Sequence, residues 1–488
     1  ADDLLLCRRR CIVRLVIAHA PEMAAEELLA HVRTDRLGLL GKRAAKLSPE
    51  QRTLTAALQH SYALLTPAEQ RALRMVSVFD GGAGLDGAAA LGIDMPVVQA
   101  LTDKSLVRLE SVGDVRRVRL LETVREYALM LLMAAGEFDD AQQRRLAWCV
   151  ALAEAAAPLL HSGEQTHWLQ RLEAERYNVY TAIQFSVSAH DIASAMRMVI
   201  GLRHFFVARG HLAEIAPWLD IVEYEATGVV IDPGLWARFL NCKGTVAFYR
   251  AQYDLAGAYF LAALKLAEGI GDRQGIAYAL DGLGAGAANN GNRPVARACS
   301  TASLEHSTAV GDHWLAGIAL MNLGEIARME NDLVAAAQFY GESLTRLQLT
   351  GDPFFIAVAQ INLGQVYLHQ GDRVRAQVIL HQSLASGLQA ESAQVVAPAL
   401  EKLADVLVEQ QAESGQRLFG LAQGLRQRSG VTVQPVDQAD HDRTAARCAP
   451  DRESPLYLQA AALGARMDWR ALHNALDSIL AESSPDTV

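Results

Sequence analysis

Hydrophobic positions in the second half of the chain follow a helical period, and the helices they define recur every 40 residues. Gly271-Asp272, Gly311-Asp312 and Gly351-Asp352 are spaced 40 apart, and so are Gly244, Gly284, Gly324 and Gly364. Ala256, Ala296, Ala336 and Ala376 form a third column, and Leu264, Leu304, Leu344 and Leu384 a fourth. Columns held in one register indicate an internal repeat. Gly followed by Asp gives one helix a left-handed C-terminal residue and the next a side-chain N-cap, so each pair predicts a helix-loop-helix joint. A glycine inside a helix costs about 1 kcal/mol relative to Ala. The glycine column therefore predicts helices too close for a side chain, with the alanines as the matching small surface and the leucines filling space toward the next repeat. A more degenerate fifth unit is expected over 391–430.

The first half changes period. TLTAALQHSYALL, TPAEQRALRMVSVF with Thr66 as N-cap, LDGAAALG and MPVVQALTDK read as short helices. Two strands follow, SLVRLE and VRRVRLL, joined by a tight turn at Val112-Gly113-Asp114, and a helix over 123–133 closes the unit. Helices, a hairpin and a helix make a winged helix. The next stretch, 141–228, is helical and amphipathic, with Trp168, Tyr177, Tyr180 and Phe185 expected in its core. VTVQPVDQADHDR is a polar break that holds the loop cluster Asp437, Asp440, His441 and Asp442, and a helical cap ends the chain. The expected fold class is mainly α, a winged helix followed by an α-solenoid. Its expected divisions are remnant helices over 1–50, winged helix 51–135, helical connector 136–230, repeats 231–430 and cap 431–488.

Composition narrows the function. With 51% hydrophobic and 20% charged residues, the 488-residue chain can bury a core of several domains. A net charge of -10 disfavours general attraction to polyphosphate. Residues 51–136 hold nine basic and nine acidic side chains, leaving Arg116, Arg117 and Arg119 on the wing as the basic strip for any DNA contact. The six cysteines lack zinc or disulfide spacing, which predicts a reducing, cytoplasmic setting. CRRRCIVRLVIAHA mimics a secretory signal, but Arg14 interrupts its apolar run. No segment approaches the roughly 18 apolar residues of a membrane span.

Chemistry-bearing motifs are scarce. G-x-x-x-x-G-K-[ST] and G-x-S-x-G do not occur. Gly82-Ala-Gly84-Leu-Asp-Gly87 matches G-x-G-x-x-G after a strand-like RMVSVF, yet an antiparallel hairpin, not a second parallel strand, is expected beyond it. His161, His167, His369 and His381 lack zinc-like spacing. No catalytic, cofactor-binding or metal-binding residue is assigned, and the chain is expected not to be an enzyme.

Two resemblances follow from these residues. LMNLGEIARMENDLVAAAQFYGESL resembles a tetratricopeptide repeat through Leu320, Leu323, Gly324, Ala327, Ala336, Tyr340 and Ser343. The first unit matches less well, with Lys243 where Leu is expected. TLTAALQHSYALLTPAEQRALRMVSVFDGG, LTDKSLVRLE and RLLETVREYA resemble the winged helix of bacterial STAND ATPase regulators related to AfsR and LuxR-type activators. The resemblance implies a groove lined by the first helix of each repeat, taking a protein, peptide or small-molecule effector. Its lining would include Cys242, Thr245, Tyr249, Asn322, Glu325, Arg328, Met329, Asn362, Gln365 and His369. The family's Met-His-Asp triplet would fall on Leu120, Leu121 and Glu122, so the phosphate-contacting histidine is replaced by an apolar side chain. Without a P-loop, and starting at Ala1, the chain reads as the back portion of a larger regulator whose nucleotide-binding module is a missing upstream partner. The implied role is transcriptional regulation, with no cofactor, no membrane association, and direct DNA contact by the winged helix or a plain scaffold as alternatives.

Overall fold

The computed structural model describes residues 49–112, 115–433, 437–450, 453–466 and 468–481. The signal-like segment, Cys7, Cys11, nearly all of the expected remnant helices and the Gly113-Asp114 turn lie outside the described residues. The chain forms two compact units. One combines the N-terminal segment through Ala153 with Gln170–Met198 and Tyr224–Thr227, and the other holds Glu154–Leu169, Val199–Glu223 and Gly228–Val488. The segment expected as a connector thus contributes to both.

In the first unit the elements are α1 (Pro49–Ala63), α2 (Pro67–Val76), β1 (Ala83–Gly84), α3 (Leu85–Ala90), α4 (Met95–Asp103), β2 (Arg108–Val112), β3 (Val115–Arg119) and α5 (Glu122–Ala134). Thr66 and Glu69 form a reciprocal capping box at the start of α2, satisfying two otherwise orphaned N–H groups. The strand-like RMVSVF forms no strand: its first half ends α2, with Met75 and Val76 on that helix's buried face, and its second half is a turn. The sheet is antiparallel in the order β1-β3-β2, with Ala83 opposite Val118 and Leu109 opposite Val118. The long helices α6 (Phe138–Leu159) and α7 (Gln165–Ser188) and the helix α8 (Ile192–Gly201) follow.

The second unit continues with α9 (Arg203–Ala208) and α10 (Leu212–Glu225), then five helix pairs. These are α11 (Pro233–Tyr249) with α12 (Tyr253–Ile270), α13 (Arg273–Asn289) with α14 (Arg293–Ala309), and α15 (His313–Met329) with α16 (Leu333–Thr350). The last two are α17 (Pro353–His369) with α18 (Arg373–Gln389), and α19 (Ala393–Leu407) with α20 (Ala412–Ser429). Gly271, Gly311 and Gly351 are left-handed, and Asp272, Asp312 and Asp352 cap the helices that follow through Gly275, Leu315 and Phe354 N–H groups. Successive first helices pack on one another, whereas second helices pack on first helices. That asymmetry curves the stack and puts the first helices on its inner face.

The glycine column sits where no Cβ fits, as expected, but the groups that approach it are mostly not the alanines. A Cβ on Gly244, Gly324 or Gly364 would lie 2.7–2.8 Å from Phe260, Tyr340 or Leu380, and on Gly284 it would lie 2.7 Å from Ser300. Each glycine therefore receives a side chain from the second helix, while the alanines are buried separately at 0–1% exposure. Backbone contact occurs instead where α22 (Pro455–Gly464) crosses α20. A Cβ on Gly424 would sit 2.0 Å from the Ala461 carbonyl oxygen, and one on Gly464 would sit 2.4 Å from that of Leu421. Gly424→Ala should destabilise this crossing by about 1–3 kcal/mol through overpacking, despite the helix-propensity gain. Hydrogen exchange across 455–464 is the measurement, and unchanged protection would contradict it.

Beyond the polar break, the chain forms α21 (Gln438–Cys448), then α22 and α23 (Trp469–Ala481). The expected loop cluster at 437–442 is thus mostly helical.

Candidate functional site

The inner face of the repeat stack divides into three parts. At its N-terminal end the residues of α9 cover it with the chain's own apolar groups: Phe205 and Phe206 are almost fully buried, and Cys242 is completely so. Cys242 donates through its thiol to the Val199 carbonyl oxygen, and burial pushes that thiol up to about 11. It is not a groove-lining residue, because Val199 and α9 fill the space in front of it. Lys243, the departure from the repeat pattern, extends to Asp220 at 2.8 Å and to Glu223, with its ammonium over the Tyr259 ring. Burial works against its charge, yet these carboxylates raise it above the usual lysine range.

The same end holds a buried polar cluster that the sequence spacing did not reveal. His161 follows α6, His204 lies in α9, and Asp352 caps α17. His161 Nδ1 lies 3.6 Å from Asp352, and the His161 ring lies 4.0 Å from that of Trp314. Burial pushes both imidazoles down to about 3, with Arg203 adding to the effect at His161 and His161 adding to it at His204. Neutral imidazoles with a carboxylate are a ligand set for a divalent cation, and their ligand atoms fall within 4.8 Å of one another. The oxygens of Asp352, however, already accept from the Phe354 and Phe355 N–H groups, Gln165 Nε2 and Trp314 Nε1. The carboxylate is thus committed to the chain's own donors, while His161 Nδ1 is buried without a hydrogen-bond partner.

The middle part is more open. Tyr249 is 40% exposed, and Thr245, Asn322 and Met329 are half-buried. Asn322 donates to Asp281 at 2.8 Å, and the Arg203 guanidinium lies 3.9 Å from the centre of the Tyr278 ring. Burial pushes the Asp281 carboxyl up to about 7, against the pull of Asn322 and Arg203. Tyr278 and Asp281, one turn apart on α13, were not among the expected lining residues although they occupy the repeat position of Ile318 and Met321.

The C-terminal part brings together Glu325, Arg328, Gln365 and His369, with Asn362 half-buried beside them on α17. Arg328 pairs with Glu325 at 2.6 Å and with Asp437 at 3.4 Å. Burial opposes the charge of Arg328, but Glu325 and Asp437 keep it above its usual range. Gln365 is buried and donates to Asp437 and Asp440, and His369 lies 3.1 Å from Asp440. This stretch was expected as open groove but is covered by α21, whose alternating acidic and basic residues were the available signal.

The β2–β3 hairpin, expected as the wing, is less basic at its surface than its sequence. Arg117 is buried and ion-paired with Glu175, and Arg119 lies 3.4 Å from Glu110, whereas Arg116 is exposed. Arg117 is therefore not a phosphate-binding candidate, since its guanidinium is taken up by Glu175 and the Gly82 carbonyl oxygen. Lys104, at the end of α4, is held by Glu69 at 2.6 Å. Gly84 N–H donates to Glu175, and Gly82 O accepts from Arg117 and Asn178, so carboxylate and amide groups of the chain occupy the glycine-rich loop. Cys149, Cys242, Cys299 and Cys448 are free thiols. Among the described residues, no helix is long and apolar enough to cross a membrane.

No model of a known protein family matches the chain. Over 254 residues, 49% of its length, it is 30% identical to proteins of Mycobacterium bovis and Mycobacterium tuberculosis named as HTH-type transcriptional regulators, and the match covers 29% of them. Over 147 residues it is 35% identical to an uncharacterized protein of Mycobacterium tuberculosis, covering 28% of this chain and 37% of that one. The chain thus spans less than half the length of the curated relatives it matches. Among solved structures, a STAND protein with a tetratricopeptide repeat sensor from Pyrococcus horikoshii aligns at a TM-score of 0.45 and 15% identity, over 88% of this chain and 65% of that chain. A Rap protein complexed with competence and sporulation factor aligns at 0.44 and 12% identity, over 68% and 99%.

Proposed function

We propose that this chain is a non-catalytic, effector-binding part of a transcriptional regulator. In this reading the repeat groove takes a peptide, a protein or a small inducer, and the winged helix of 51–135 acts as a switch element that responds to it. The observation that carries the reading is the 254-residue similarity to HTH-type regulators. The polar inner face from Tyr249 through Asp281 and Asn322 supplies a place for the effector. Binding there would bias a two-state equilibrium only through contacts that differ between the states. Direct DNA reading by the winged helix is not favoured, because Arg117 is buried and Lys104 is paired.

Peptides selected for binding to the full chain test this. Asp281→Lys is expected to weaken the selected peptides by about tenfold or more, equivalent to about 1.4 kcal/mol. Undiminished binding to that variant would place the recognition surface elsewhere. A parallel gel shift with duplex DNA is expected to show no binding that weakens steeply with salt.

A further inference from the structure

Helix α21 has its charges sorted along its length, and the repeats beneath it are sorted to match. Asp437 and Asp440, three residues apart and so on one face, meet Arg328, Gln365 and His369 of α15 and α17. Further along, His441 lies 3.2 Å from Glu401. Arg447, just under three turns beyond Asp437, reaches Asp405 and Glu409, each at 2.5 Å. One end of the receiving face thus offers Arg328, itself paired with Glu325, beside Gln365 and His369, and the other offers the carboxylates Glu401, Asp405 and Glu409, of which Glu401 also pairs with Arg426 and Glu409 with Arg373.

The grip of α21 is polar more than apolar. Its buried apolar side chains are Ala445 and Cys448, which are small, and Ala449 follows directly. By contrast, α9 is anchored by Phe205 and Phe206. Asp437 and Arg447 are 38% and 33% exposed, whereas Asp440 is 15% and the receiving Arg328 8% exposed. The outer pairs contribute little net stability, and the inner ones offset their own desolvation only while both partners are present. Matched charge with a small apolar anchor specifies an occupant without holding it tightly.

We propose that the inner face of α15, α17 and α19 is a docking surface for a helix with two carboxylates on its first turn and a cationic side chain almost three turns on, and that α21 is its resident occupant in this chain. The partner is a helical peptide segment of that charge pattern, which binds by displacing α21. The proposal rests on the reading of the concave face as a recognition surface and names the chemistry accepted at its C-terminal end. Since α21 is tethered to the repeats, it competes at an effective concentration near millimolar. An incoming helix therefore binds in proportion to how often α21 is away.

The test uses the full chain and a lactam-stapled helical peptide with the sequence of residues 437–448, labelled for fluorescence anisotropy. In the Asp437→Lys/Asp440→Lys variant, α21 should leave its seat, and the peptide should bind at least about tenfold more tightly than to the unsubstituted chain. Adding Arg328→Glu to that variant should abolish binding. Hydrogen exchange over 441–448 should speed up in the double variant while 455–464 stays protected, which shows that the remaining fold is intact. Equal peptide affinity in both forms, binding to neither, or indifference to Arg328→Glu would each overturn the proposal. If the peptide fails here while Asp281→Lys still removes the selected ligands, the groove reading stands and only this docking mode falls.

Discussion

Glu175→Ala is expected to destabilise the first unit by about 3–5 kcal/mol, more than any other single change considered. The Glu175 and Arg117 side chains are 2% and 6% exposed, and the carboxylate also accepts from Gly84 N–H and Asn178. Burial pushes the carboxyl up, and Arg117, Asn178 and Gly84 oppose that push by favouring its charged form. Removing it leaves a guanidinium inside with the Gly82 carbonyl oxygen as its remaining acceptor of the pair. Glu175→Leu combined with Arg117→Leu removes both charges and should cost clearly less, the residue of the loss being the orphaned Gly84 N–H. Urea unfolding with hydrogen exchange across β2 and β3 reads the difference. A single-variant loss below about 1 kcal/mol, or a double variant worse than the single, would show that the pair does not hold this unit together.

Acid should weaken the second unit through His161 and His204. In the unfolded chain both take up a proton as pH falls through about 6.5, whereas in the folded chain they do so only near 3. Unfolding between these limits binds protons, so the stability contributed by the neutral pair is complete above pH 6.5 and is lost as pH falls toward 3. At pH 5 the loss is about 2 kcal/mol for each imidazole. Asp281, with its carboxyl pushed up to about 7, acts in the opposite direction, as does Asp352, whose carboxyl is also raised by burial. The contribution is therefore isolated by comparison: on going from pH 7 to pH 5, His161→Gln should lose about 2 kcal/mol less than the unsubstituted chain. Tryptophan fluorescence follows the unfolding, with the Trp314 ring 4.0 Å from that of His161. Equal losses in the two proteins would exclude a neutral buried His161.

Local features were the legible ones. The Gly-Asp joints could be read because a left-handed residue and a side-chain cap act within one turn of chain, and Gly271, Gly311 and Gly351 adopt that conformation. The hairpin pairing of 108–112 with 115–119 could be read because two short strand-like runs flank a Gly-Asp turn signal, which acts between near neighbours. The close approach at the glycine column could be read, but not its partners, since which side chain enters a helix groove depends on the crossing of two helices. Cys242 and Gln365 looked like groove positions by repeat numbering, and both are buried by segments that lie outside the clear repeats.

Period, caps and turns are interactions between near neighbours, so helix pairs of constant length following a helical and hairpin-bearing segment are written directly along the chain. Which part of the inner face stays open, the inward turn of Arg117 to Glu175 and the meeting of His161, His204 and Asp352 arise only on folding. These depend on contacts between residues tens to hundreds of positions apart, whose closure is governed by the curvature of the stack and by which segments fold back into it. No spacing along the chain encodes that distance.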